Sequence, residues 1–119
     1  MARSHDLGKH GEDLATSLLR REGWAILHRN WRFKHKEIDI VAERAGTVAF
    51  VEVKMRSGRR FGHPLDAVTS AKRRDLAAAA RVWVARHGRA GQCYRFDAVW
   101  VLRENGTTHV KHIQDAWRL

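Results

Sequence analysis

The sequence has one cysteine, one proline and no long apolar run. A single Cys cannot build a disulfide framework or a Cys-based zinc ribbon, so neither supports the fold. The first residues, MARSHDLGKHGEDL, lack the apolar segment of an export signal. No stretch approaches the roughly 20 apolar residues that cross a bilayer. These absences predict a cytoplasmic protein without a membrane segment.

Acidic residues are scarce relative to basic ones. The 119 residues include 13 Asp and Glu against 23 Lys and Arg, which gives a net charge of +10 at pH 7. This length is typical of one domain, so we expect a single domain over residues 1–119. The apolar fraction of 44% is enough for a hydrophobic core. The positive charge favours nucleic acid as the partner, and a merely soluble basic surface is the alternative.

Apolar periodicity predicts seven elements in the order α-β-β-β-α-β-β. Helical spacing predicts a first helix that begins near Ser4 or Asp6 and ends before Gly23, and alternating or β-branched runs predict the strands. The predicted strands are Trp24–Trp31, Glu37–Ala42, Val48–Met55, Tyr94–Leu102 and Thr107–Ile113, and the second helix is Asp66–His87. Helices interleaved with one sheet indicate an α/β fold with a central sheet flanked by helices. Four of the five tryptophans lie in apolar segments and are predicted core residues: Trp24, Trp31, Trp83 and Trp100.

The most informative segment places four charged side chains on two neighbouring predicted strands. Glu37 and Asp39 alternate with isoleucines on the first strand, and Glu52 and Lys54 alternate with valines on the second. With an even-numbered loop that turns at Ala45-Gly46, Asp39 faces Glu52 and Glu37 faces Lys54. All four side chains then share one face of the sheet. A three- or five-residue loop would instead pair Asp39 with a valine.

Two facing carboxylates predict a bound cation. Their Cβ atoms lie about 5 Å apart, and they repel each other unless a proton or a cation lies between them. Mg²⁺ and Mn²⁺ prefer such oxygen ligands and bridge them to phosphate oxygens. Asp39 and Glu52 are therefore candidate metal ligands, and Lys54 could orient or deprotonate a water that attacks a phosphodiester. The same alternation is also typical of a solvated strand face with an ordinary Glu37–Lys54 ion pair.

At these residues the sequence resembles a known superfamily of nucleases. Asp39 followed by Glu52-Val53-Lys54 matches the motif of the PD-(D/E)xK nucleases. From about Gly8 to Trp117 the chain resembles the YraN-like family of small bacterial proteins, which is classed as endonuclease-like and is similar to archaeal Holliday junction resolvases. Further matching residues are Gly11-Glu12, Asn30, Glu37-Ile38-Asp39, Phe50-Val51-Glu52-Val53-Lys54 with Arg56, Phe61-Gly62, Lys72 and Arg95-Phe96-Asp97. The family usually has Gly where this chain has Lys36.

The resemblance implies a fold and a site. The fold would be a restriction-endonuclease-like core with a mixed central sheet between helices. Asp39 and Glu52 would be ligands of a divalent metal, Lys54 would be the catalytic lysine, and Glu12 would be a further acid from the first helix. By its spacing alone, Glu12 is an ordinary solvated helix residue.

The basic residues near the hairpin and in the second helix are candidate ligands for phosphate groups. They are Lys36, Arg56, Arg59, Arg60 and Lys72. An ordinary basic surface loop is the alternative for those between the third strand and the second helix.

We therefore predict a Mg²⁺- or Mn²⁺-dependent endonuclease that acts on DNA, with branched or junction DNA as one candidate substrate. A homodimer would match a two-fold symmetric junction. The alternative is a non-catalytic nucleic-acid-binding protein of the same fold that acts with a partner in recombination or DNA uptake. A basic protein-interaction module is a third hypothesis.

Overall fold

The fold is an α/β arrangement of one five-stranded sheet and two helices. The computed structural model describes residues 4–57 and 69–118. The elements, in chain order, are α1 Ser4–Arg21, β1 Ala25–Phe33, β2 Lys36–Arg44, β3 Thr47–Ser57, α2 Ser70–His87, β4 Cys93–Glu104 and β5 Thr107–Trp117. The predicted order of elements and the predicted mixed sheet between helices are both confirmed. Neither described helix is long and apolar enough to cross a membrane.

The sheet follows the order of the chain. Its strands lie in the order β1-β2-β3-β4-β5. Neighbouring strands are antiparallel except β3 and β4, which are parallel because α2 lies between them in the chain. This crossover makes β3 a central strand, and its side chains are buried on both faces from Val48 to Glu52.

Each face of the sheet is covered by one helix. The α1 face includes Leu19, Trp24 and Val51, and the α2 face includes Phe50 and Trp83. Trp24, Trp83 and Trp100 are buried, as predicted, and Trp31 packs half-buried against the α2 core. Alternation along β3 therefore places Glu52 and Lys54 on the α2 face, together with Phe50.

The hairpin between β2 and β3 has the predicted register. Arg44 pairs with Thr47 around a two-residue turn, and pairing continues to Ile40 opposite Val51. Ala45 and Gly46 both have positive φ, 49° and 81°, as a type I′ turn requires. Asp39 therefore lies on the same face as Glu52. The register prediction is correct over the whole paired part of the hairpin.

Pairing between β2 and β3 stops before the outer charged residues. The last paired residues are Ile40 and Val51. Glu37 does not face Lys54, as the extended register predicted, but pairs with Arg32 of β1, and its Oε2 lies 3.5 Å from Arg32 Nη2. The two strands diverge here, and this divergence makes room for the candidate site.

The second helix begins later than predicted. Thr69 is the N-cap of α2, with extended backbone, and its hydroxyl accepts a 3.1 Å hydrogen bond from the backbone N–H of Lys72. The described helix therefore begins at Ser70, after its N-cap, and Asp66, where the helix was predicted to start, lies outside the described residues. Phe61-Gly62, Arg59 and Arg60 lie outside the described residues.

A buried ionic network joins α1 to the β4–β5 edge of the sheet. The ring nitrogens of His112 each lie 2.7 Å from a carboxylate, Nε2 from Asp97 and Nδ1 from Glu22. An ionised carboxylate only accepts, so the protonated ring, with a donor on each nitrogen, satisfies both contacts at once. Burial alone would lower the pKa of His112, but the hydrogen bonds to Asp97 and Glu22 outweigh it and raise the pKa. Asp97 also accepts two bonds from Arg95, at 2.9 and 3.1 Å.

Candidate active site

Asp39 lies where β2 and β3 diverge. Its Oδ2 accepts a 2.8 Å hydrogen bond from the backbone N–H of Val53. Burial is the largest effect on this carboxyl group, followed by the negative charge of Glu52, and together they raise the pKa of Asp39 to about 8. Asp39 and Glu52 therefore form a close pair that does not readily hold two negative charges.

Glu52 is the buried centre of the site, with 2% of its surface exposed. Its Oε1 lies 3.3 Å from Lys54 Nζ and 3.6 Å from Lys72 Nζ. Its Oε2 receives no hydrogen bond from any donor group in the described part of the chain. A protonated Asp39 carboxyl group can donate to Glu52. The alternative occupant of this position is a cation.

Glu12 approaches the same pair from α1. Burial raises the pKa of Glu12, although a hydrogen bond with the Asn30 side chain opposes the shift. The charge of Glu12 in turn contributes to the raised pKa of Asp39. The fold therefore brings Glu12 within electrostatic range of Asp39, and its role as a further acid of the site stays a prediction.

The remaining predicted residues lie in different surroundings. Lys36 is a half-buried residue at the start of β2. Arg56 donates to the carbonyl of Met55 at 3.0 Å, and its guanidinium lies 5.9 Å from the centre of the Trp100 ring. Lys72 lies beside Glu52. Lys36, Arg56 and Lys72 remain candidate nucleic-acid ligands, as do Arg59 and Arg60 outside the described residues.

Sequence reasoning did not assign roles to Asn30 and Arg29. Asn30 has a φ of 51°, which Asn tolerates better than most residues, and its side chain reaches Glu12. Arg29 Nη2 lies 2.6 Å from Asp13 Oδ1 and 4.0 Å from Glu12 Oε1. The signal for Asn30 was present in the sequence, because an Asn within an apolar-rich strand is unusual. Nothing comparable distinguishes Arg29 among 23 basic residues.

The carboxylate pair fits a small divalent cation. Mg²⁺ takes oxygen ligands and retains several waters, so one or two carboxylates are enough to hold it. Asp39 and Glu52 provide these oxygens, and the unpartnered, buried Oε2 of Glu52 is an atom that a cation would satisfy. Within residues 4–57 and 69–118, no three His, Cys, Asp or Glu side chains converge as a metal-binding group. A metal held here would therefore complete its coordination with water and substrate oxygens.

The fold and the site together define an α/β protein with a close Asp–Glu pair and a lysine on neighbouring strands of a mixed sheet. Comparison with known proteins identifies its family. Residues 11–101 match the uncharacterised protein family UPF0102, and the chain belongs to this family, as the YraN-like resemblance predicted.

Individual relatives match most of the chain. A UPF0102 protein of Nitratidesulfovibrio vulgaris (strain DP4) is 44% identical over 97% of this chain and 86% of its own length. Another, from Nocardia farcinica (strain IFM 10152), is 47% identical over 84% of this chain and 79% of its own length. A third, from Chlorobium chlorochromatii (strain CaD3), is 43% identical over 94% of this chain and 91% of its own length.

Proposed function

We propose that the protein is a nuclease that hydrolyses phosphodiester bonds in DNA, with Mg²⁺ or Mn²⁺ as cofactor. The observation that carries this proposal is the close pair of half-buried Asp39 and buried Glu52, with Lys54 Nζ 3.3 Å from Glu52 Oε1. Placing two carboxylates side by side, one of them buried, costs free energy, and such groups cluster at functional sites.

Each side chain has a role in this proposal. Asp39 and Glu52 would hold the metal, which when bound would supply Lewis-acid chemistry for the phosphoryl group and the attacking water. Lys54 orients the attacking water and offsets the charge that develops on the phosphoryl group. The water oxygen would form a bond to phosphorus and release its proton to solvent, while the bond from phosphorus to the leaving oxygen breaks and that oxygen takes up a proton from solvent. Glu12 adds negative charge that acts on Asp39, which favours a cation at the pair.

The charge of the chain supports DNA as the substrate. A net charge of +10 attracts a polyanion, and phosphate contacts by Lys and Arg release counterions. We also propose a cytoplasmic location, and a homodimer in which two sites would match a two-fold symmetric junction.

One observation favours a second function, that of a non-catalytic nucleic-acid-binding protein. Lys54 and Lys72 both lie near Glu52 Oε1, at 3.3 and 3.6 Å. Two ammonium groups can balance the charge of a buried carboxylate without a metal. In this alternative, the site stabilises the fold, and the basic surface binds DNA.

A cleavage panel tests the two functions against each other. Single-stranded, duplex, flap and four-way-junction DNA are incubated with the wild type and with Glu52→Gln, in Mg²⁺, in Mn²⁺ and in chelator. Glu43→Gln is the matched control, because Glu43 is a β2 carboxylate that contacts Gln92, away from the site. DNA binding is measured in parallel over a range of salt concentrations.

The nuclease proposal predicts cleavage by the wild type and by Glu43→Gln only with a metal, and loss of cleavage in Glu52→Gln. Cleavage that survives Glu52→Gln would place the activity elsewhere. If no substrate is cut but binding weakens steeply with salt, the non-catalytic alternative is correct.

A further inference from the structure

A groove begins beside α2 and continues to the end of β5 at the edge of the sheet. It comprises two cavities, of about 310 Å³ and about 470 Å³, that share Tyr94 and Phe96 of β4. The smaller cavity is bounded by α2 and by Phe50 of β3. Phe50 precedes Glu52 by two residues and points to the same face, so one end of the groove lies next to the candidate active site.

The floor of the groove is aromatic. Phe50 and Tyr94 stack with 6.1 Å between ring centres and 19° between ring planes. Phe96 and Trp117 stack at 5.5 Å and 16°. Tyr94 retains 38% of its surface exposed, and among the described residues only Leu27 is an equally exposed large apolar side chain. Phe50 and Trp117 are buried beneath the floor, so the ring that it offers most openly to a planar partner is that of Tyr94.

The rim of the groove is basic. Arg81 of α2 lines the smaller cavity, and Arg118 lines the larger one. Arg73 lies two helical turns before Arg81 on the same stripe of α2, and its guanidinium is 5.6 Å from the centre of the Trp117 ring. Asp115 is the acidic side chain of the lining, and Arg118 neutralises it at 2.7 Å.

We infer that this groove binds an unpaired strand of nucleic acid, with its bases against the aromatic floor and its phosphates against the arginines. A flat apolar floor with a cationic rim is complementary to a chain of planar bases joined by anionic phosphates. In a duplex the base faces are covered by their neighbours, so only an unpaired strand can use this floor. The inference rests on the proposed nuclease function in one respect, since it makes a single-stranded segment part of the substrate that reaches Glu52.

The test separates binding by the groove from cleavage at the carboxylates. Fluorescence anisotropy of labelled oligo(dT) and of a duplex of equal length is measured in chelator, where no metal-dependent cleavage occurs. The variants are Tyr94→Ala, Tyr94→Phe and Arg81→Gln. The matched controls are Leu27→Ala, with the same exposure on β1, and Arg20→Gln, exposed on α1 across the sheet. Thermal melting confirms that each variant is folded.

Tyr94→Ala removes the ring on which one base stacks. It should therefore weaken oligo(dT) binding roughly tenfold and duplex binding less. Tyr94→Phe keeps the ring and should bind like the wild type, and Arg81→Gln should weaken binding and lower its salt dependence. The controls should change little. If Tyr94→Ala affects duplex and single strand equally, or not at all, the inference is wrong. It is also wrong if Tyr94→Ala converts a dimer to a monomer, because the groove would then be an interface between two copies.

These outcomes are independent of the nuclease proposal. If the groove binds an unpaired strand but the protein cuts no substrate, the nuclease function is overturned and the inference about the groove stands. Cleavage of duplex DNA that the groove variants leave unchanged would support the nuclease function and overturn the inference about the groove.

Discussion

The backbone N–H of Val53 donates a 2.8 Å hydrogen bond to Asp39 Oδ2, just beyond the last paired residues of β2 and β3. Where the strands diverge, the Val53 N–H loses its strand partner, and the Asp39 side chain takes the place of a backbone carbonyl. The same bond fixes the Asp39 carboxyl group beside Glu52. The position of Asp39 is therefore set by the backbone before any cation binds.

Asp39→Asn should change the pH dependence of stability in chelator. The pKa of Asp39 is about 8 in the folded protein against 3.8 as its reference value. Between pH 4 and pH 8 the Asp39 carboxyl group therefore carries a proton in the folded state but not in the unfolded state. The free energy of unfolding falls as pH rises through this range. Asn resembles the protonated form of Asp39. At pH 8.5 the free energy of unfolding of the variant should therefore exceed that of the wild type by at least roughly 2 kcal/mol, and at pH 4 the two should be similar.

Urea unfolding of both proteins across this pH range measures the difference. In Mn²⁺ the order should reverse, because the metal stabilises only the protein that retains both ligands. An Asp39→Asn variant that is less stable at every pH and responds normally to Mn²⁺ would show that Asp39 is purely structural.

The turn that sets the hairpin register should be improvable. Ala45 has a φ of 49°, and this left-handed conformation costs a residue with a Cβ about 1 kcal/mol. Ala45→Asn should therefore stabilise the protein by about 0.5–1 kcal/mol, because Asn-Gly is the preferred type I′ pair. The β4–β5 turn already has this pair, Asn105 and Gly106, with φ of 50° and 76°.

Asn105→Ala is thus the reciprocal control and should cost about what Ala45→Asn gains. Chemical unfolding of both variants gives the two values. Equal destabilisation by both changes would mean that turn conformation does not limit the stability of these hairpins.

The hairpin and its charged face were predictable because their information is local. Two-residue periodicity places Glu52 and Lys54 on one face, and a two-residue turn places Asp39 on that face too. The point where pairing stops is not local. It depends on the side chain of Asp39 competing for the N–H of Val53, which no periodicity encodes.

Contacts between the helices and the sheet could likewise not be predicted from the local sequence. Glu12 approaches Asp39, and Lys72 approaches Glu52, only because α1 and α2 cross the sheet at particular angles. His112 meets Asp97 next to a register shift between Phe96 and Ala98. Alternation predicts faces, but a bulge resets it, and nothing in the local sequence marks this one.

His112→Gln should destabilise the protein strongly at pH 6. The His112 side chain is 2% exposed and lies between Asp97 and Glu22, so its loss removes a charged donor from Asp97, which keeps its two hydrogen bonds from Arg95. The loss of a buried hydrogen bond to a charged group costs about 1.5–3 kcal/mol. The pKa of His112 is raised above 6.5 by these partners, so its contribution is complete below pH 6.5 and is lost as pH rises through the folded pKa.

Urea unfolding at pH 6 and at pH 9.5 should therefore show a smaller difference between variant and wild type at the higher pH. His109→Gln is the control, because His109 is exposed on the same strand. A variant effect that is equal at both pH values would mean that the ring acts by its shape rather than by its charge.

Lys54 and Lys72 share one oxygen of Glu52, and their substitutions should separate catalysis from charge balance. Lys54→Ala should leave most Mn²⁺ affinity and lower single-turnover cleavage by roughly a hundredfold or more, because it removes the group that orients water and stabilises developing charge. Lys54→Arg keeps the charge but has a different shape, so it should rescue DNA binding better than cleavage. Lys72→Ala, with 40% of that side chain exposed, should affect DNA binding more than the cleavage step.

The measurements are single-turnover cleavage and Mn²⁺ titration of all three variants beside the wild type. Wild-type cleavage by Lys54→Ala would show that the proposed mechanism is wrong even for an active nuclease, and a larger loss of cleavage in Lys72→Ala would assign the catalytic lysine to α2.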